Sequence, residues 1–149
     1  MQPQAPHALP SALRYVVGAI GGLMVAVAGI QAWRALTLAT TRRFDAFGVL
    51  IGALIGIVVR AGVRTGGRAT GLLAGFLTLL TLLSAHYFII RDHLTRVAQA
   101  QGYRGVSHLP VLSALRLLDF WGWVLMALAV SCGYRCAHRA ILRRARGEK

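Results

Sequence analysis

A chain of 149 residues that is 56% hydrophobic and 14% charged is too apolar for an ordinary soluble domain, which is nearer half apolar and a quarter charged. Its 17 Lys and Arg against 4 Asp and Glu (formal charge +13) suggest nucleic acid at first sight, but the cations flank long apolar runs, which points instead to anionic lipid head groups. Those runs are apolar all round rather than along one stripe, which excludes a buried soluble four-helix core.

Residues 1–11 are polar and Pro-rich and read as a disordered leader. The first apolar run, Tyr15–Trp33, is long enough for a bilayer span, which needs about 17–25 residues. It is too long for a signal-peptide core, and Gln31-Ala-Trp-Arg34 follows it instead of a small-residue cleavage site. Gly18, Gly22 and Ala26 make a stripe of small residues four apart.

The second run lies in FGVLIGALIGIVVRAGVRTGGR, where Gly48, Gly52 and Gly56 precede Arg60, Arg64 and Arg68 at the same step of four. Ala46–Val59 has 14 residues and reaches 18 at Val63 if Arg60 snorkels its head to the interface. Lipid is as apolar as leucine, so helices associate in membranes through close packing that small residues permit. The glycine stripe is therefore expected to pack spans one to three together; a dimer through span two is the alternative. The arginines are expected to continue that helical face into the head-group layer, Gly66-Gly67 to break the helix, and Arg68 to open span three.

Span three, Ala69–Ile90, opens with Gly71 and Gly75, two further packing positions. Its hydroxyls at Thr78, Thr81 and Ser84 are expected to bond carbonyls of their own helix rather than act as nucleophiles. Residues 91–101 extend the helix until Gly102-Tyr-Arg-Gly105, and Val111–Leu115 after Pro110 suits the membrane interface. Span four is Leu117–Tyr134. Cys132, Cys136 and His138 at its end are too few to close a zinc site, and no metal or cofactor is expected. The basic tail, residues 139–149, places Arg139, Arg143 and Arg144 with Arg60, Arg64 and Arg68 as lipid head-group contacts.

Asp45, His86 and Asp119 fall near one interface, with His93 two turns beyond His86. Histidine with carboxylate is the chemistry of proton relays and divalent metals. The plainer expectation is that Asp45 and Asp119 sit near helix N-termini, where the dipole favours an anion. With four spans both termini share one side, which carries ten cations against seven on the other, so the positive-inside rule places both termini in the cytoplasm. No carboxylate lies mid-span, whereas small four-helix exporters couple to protons through one.

The runs GAIGGLMVAVAGIQAWRAL, FDAFGVLIGALIGIVVRAGVRTGGR, HYFII and LLDFWGWVLMALAVSCGYR together resemble a family of small four-span bacterial inner-membrane proteins, over roughly residues 15–135. Some members of that family carry an N-terminal zinc ribbon, which this chain lacks; it has an Arg-rich tail instead. Phe44-Asp-Ala-Phe-Gly48 also departs from the aromatic-Glu-Ile-Gly pattern of the family. The resemblance implies a topology but no activity. The expectation is an all-α polytopic membrane protein: four transmembrane helices in an antiparallel bundle, spanning residues 12–138. It has no catalytic residues and serves as a non-enzymatic structural or accessory subunit that packs with other membrane subunits or itself. A small transporter or channel is the alternative.

Overall fold

The computed structural model describes residues 11–40, 46–64, 67–102 and 120–138, and among these there are helices and turns but no strand. Four helices follow in order: α1 Ser11–Thr40, α2 Phe47–Val63, α3 Arg68–Ala100 and α4 Phe120–His138. Three of them, α1, α3 and α4, are long and apolar enough to cross a membrane, and α2 is a shorter apolar helix of 17 residues. The expected spans at residues 15–33 and 69–90 are thus the apolar parts of longer helices.

The overhangs have a local cause. No Gly or Pro falls between Gln31 and Thr40, so nothing stops α1 at the end of its apolar run. The same holds for Arg91–Ala100 on α3. That helix ends where the Gln101 N–H donates to Ala98 O (3.1 Å) and Gly102 takes φ +78°, a left-handed value open to glycine. α2 ends at Val63, one residue after Gly62. Arg64, not Gly66 or Gly67, makes the break: it adopts φ 60° while its N–H still donates to Arg60 O at 2.9 Å. The expected glycine break is corrected accordingly, and Gly66 lies outside the described residues.

α2 packs against all three other helices. Ile55, Val59 and Val63 are completely buried along it, and Ile51 nearly so. Against α1, residue numbers rise on one helix as they fall on the other. Gly18 lies at Val63 and Val59, Gly22 at Val59, and Gly29 at Ile51. Ala26 is also buried. Gly48 sits between Leu82 of α3 and Trp33 of α1. Gly71 is covered by the Tyr134 ring of α4, and Gly75 faces Val130 at ordinary contact distance.

The centre of the α2 stripe goes elsewhere than expected. Gly52 and Gly56 face α4, not α1. A methyl group at position 52 would lie 2.5 Å from the Ala129 carbonyl oxygen, and one at position 56 would clash with the Gly133 carbonyl oxygen. In return, a methyl on Gly133 would lie 3.0 Å from Gly52 O and 2.7 Å from Thr78 Oγ1. The hydrogen that stands in place of each missing Cβ therefore points at a carbonyl of the facing helix, the arrangement of Cα–H···O contacts. Gly18, Gly22 and Gly48 thus lie in the seams among α1, α2 and α3, whereas Gly52 and Gly56, at the centre of the stripe, lie against the small residues Ala129 and Gly133 of α4.

Away from these seams the surface is greasy. Ile20, Leu23, Met24 and Val27 of α1, and Leu72 and Phe76 of α3, are more than half exposed. Water would disfavour such a continuous apolar face, and hydrocarbon would not.

Two buried glycines separate backbone contact from mere helix interior. Gly52→Ala should destabilise by about 1–3 kcal/mol, because the obstacle is main chain and cannot rotate away. Gly75→Ala should be neutral or stabilising by up to about 1 kcal/mol, because the space exists and alanine favours helix. Unfolding of the purified chain in mixed micelles measures both; equal losses would dismiss the backbone contact.

Candidate functional site at the ends of α1 and α3

The apolar run of α1 closes at Trp33, which is buried, and the next residue is Arg34. α3 changes from apolar to polar at Arg91-Asp92. The two transitions lie side by side. Arg34 Nη2 donates to Asp92 Oδ2 at 2.7 Å and Nε donates to the same oxygen at 3.0 Å. The two side chains are 29% and 25% exposed, so water screens them less than it screens an ordinary surface pair. The Arg34 guanidinium also lies 5.3 Å from the centre of the Phe88 ring, within cation–π range. Fifty-eight residues separate the partners, so this is a tertiary clamp between the two overhangs.

Beside the clamp is a cavity of about 360 Å³. Leu38, Ile89 and Val97 supply apolar wall, and Arg34, Asp92, His93 and Arg96 supply polar wall. Thr37 also lines it, and its Oγ1 is buried without a hydrogen-bond partner among the described residues. That is unusual in this chain. Thr78, Thr81 and Thr95 each donate their hydroxyl to the carbonyl four residues earlier, at 2.6–2.8 Å, which for the first two is the expected bonding. Ser84 is exposed.

The expected polar cluster is only partly within the described residues, since Asp45 and Asp119 lie outside them. His86 is half-buried with its ring 5.8 Å from that of Trp33. It lines a void of about 10 Å³ with Leu82, Gly122 and Met126, room for about one water. His93 is exposed and lines the larger cavity instead. The structure therefore divides the two histidines between different cavities. No group of three His, Cys, Asp or Glu is placed to hold a metal among the described residues.

The opposite end of the bundle is the cationic one. Arg60 is half-buried, and Arg64, Arg68 and Arg135 are exposed. Arg139, Arg143 and Arg144 lie outside the described residues. Cys132 and Cys136 are half-buried and not disulfide-bonded, and His138 stacks on Tyr134 at 5.4 Å.

The Arg34–Asp92 clamp carries no local sequence signal. Each residue was legible as a charge at a span end; their pairing depends on α1 and α3 reaching equal height side by side. The chain matches no protein-family model, no curated protein and no solved structure. The family resemblance therefore rests on the quoted motifs alone.

A double-mutant cycle of Arg34→Gln and Asp92→Asn in mixed micelles should give a coupling of about 0.5–1.5 kcal/mol, above the median for an exposed pair. A coupling indistinguishable from zero would reduce the clamp to a passive contact.

Proposed function

We propose that this chain is a four-span protein of the bacterial inner membrane with both termini cytoplasmic, acting as a non-enzymatic structural or accessory subunit of a larger membrane assembly or of a homo-oligomer. The contact registers support four spans in an antiparallel bundle. Residue numbers rise together on α1 and α3, as at Gly22–Leu77 and Trp33–His86, and together on α2 and α4, as at Gly52–Ala129 and Gly56–Gly133. They run oppositely between α1 and α2 and between α3 and α4. At 1.5 Å per residue α2 is about 26 Å long, close to the hydrocarbon thickness of about 30 Å. Arg60 on its last turn reaches head groups by snorkelling.

One observation carries the functional reading. Among the described residues the buried polar side chains are Thr70, Thr78 and Thr81, and the latter two bond their own helix. A coupled carrier requires an ionisable or ion-coordinating group exposed alternately to each side. A helix seam closed by backbone contact supports scaffold packing rather than a hydrated path. The cationic end, with Arg60, Arg64 and Arg68, meets anionic lipid on the cytoplasmic face, in keeping with the positive-inside rule.

Orientation is tested with cysteines in a background lacking Cys132 and Cys136. Gln101→Cys should react with an impermeant thiol reagent in intact cells, and Arg68→Cys should react only after lysis. The reverse pattern would invert the topology. Function is tested by flux into sealed liposomes with cationic, anionic and lipid-like solutes. No proton- or sodium-driven flux is expected, and co-purification from native membranes should recover a partner subunit or a second copy. Driven flux that His86→Ala abolishes, with folding intact, would replace the accessory reading with a transporter.

A further inference from the structure

The cavity beside the Arg34–Asp92 clamp combines features that the scaffold reading does not use. Its place along the bundle is defined by Trp33, Ile89 and Ile90 on the apolar side and by Arg91 and Asp92 on the polar side. For a chain that spans a bilayer, that boundary is the head-group layer, where the phosphates of membrane lipids lie. Ile89 and Ile90 give it an apolar wall on the hydrocarbon side, such as the upper part of an acyl chain or its glycerol ester would contact.

Its charges do not cancel. Arg34 is paired with Asp92, and Arg96 makes no ion pair or hydrogen bond among the described residues. The lining thus carries two arginines and one carboxylate, an excess of one arginine charge. Arg34 keeps Nη1 largely available, since its contact with Gln31 Oε1 is long at 3.5 Å. Thr37 lines the same cavity with its hydroxyl buried in the wall, so the two guanidinium groups are its accessible charged donors. A guanidinium fork supplies paired N–H donors whose hydrogen bonds a phosphodiester's oxygens accept.

We infer that the cavity between the overhangs of α1 and α3 is a binding site for one membrane glycerophospholipid, its phosphodiester held by Arg96 and Arg34. One phosphodiester negative charge balances the one uncompensated positive charge. The site lies at the end of the bundle opposite Arg60, Arg64 and Arg68, and it is a defined cavity, unlike that cationic rim. It goes beyond the scaffold reading and holds whether the chain is a scaffold or a carrier.

The test is lipid binding by the purified, delipidated full-length chain, read by native mass spectrometry. The probes are phosphatidylglycerol, a diacylglycerol with the same chains, and inorganic phosphate. One phosphatidylglycerol per chain should bind ahead of further, weaker adducts, and diacylglycerol should not compete. Arg96→Gln should weaken that first binding by about tenfold, the loss of one charge-assisted contact. Arg68→Gln at the opposite end should leave it unchanged. Equal binding by Arg96→Gln and the parent chain would overturn the assignment. So would loss of binding in Arg68→Gln alone, or equal affinity for diacylglycerol. Displacement by millimolar inorganic phosphate would also overturn it, identifying a free anion as the ligand.

Discussion

The close approach of α2 and α4 is the constraint on which the bundle depends. Inside a bilayer no hydrophobic effect pulls apolar helices together, because lipid tails solvate leucine as well as protein does. What remains is dispersion between closely packed atoms and weak polar contact between backbones. Gly52 and Gly56 on one helix, with Ala129 and Gly133 on the other, bring main chains to a distance that any side chain would prevent. Thr78 of α3 meets the same point through its hydroxyl and methyl, so three helices converge where side chains are smallest. Ile55, Val59 and Val63 then fill the space toward α1.

Convergence at the centre has a consequence at the end. α1 and α3 run past the apolar zone because neither contains a helix breaker there, and the packing sets them side by side at matching height. Two bare helical overhangs would fray or splay. The Arg34–Asp92 pair, with Phe88 beneath the guanidinium, joins them across 58 positions of sequence. The same geometry leaves a cavity whose walls change from apolar to charged within one helical turn. On α4, Phe120, Trp121 and Trp123 are exposed at the end that also carries Trp33 and His86, where aromatic rings suit the boundary between hydrocarbon and water.

The legible parts were those determined by composition along one helix. The apolar runs announced the helices, the absence of Gly and Pro announced the α3 extension to Ala100, and the hydroxyls of Thr78 and Thr81 bond within their own turn as short-range chemistry requires. The small-residue stripe of α2 was visible as well, but its partner was not. A stripe shows that something approaches closely and is silent on which helix does. Arg64 was misread for a related reason: a left-handed non-glycine residue is a poor bet when glycines follow two and three positions later.

By itself the sequence determined the apolar run within each helix, the polarity of each end and the positions bare enough for close contact, because these are properties of residues a few places apart. Tertiary structure alone decided that Gly52 and Gly56 meet α4, that Arg34 meets Asp92, and that His86 and His93 face different cavities. Those outcomes depend on the relative rotation and height of separate helices. Both are settled only when every seam is packed at once, since turning one helix to improve one seam opens another.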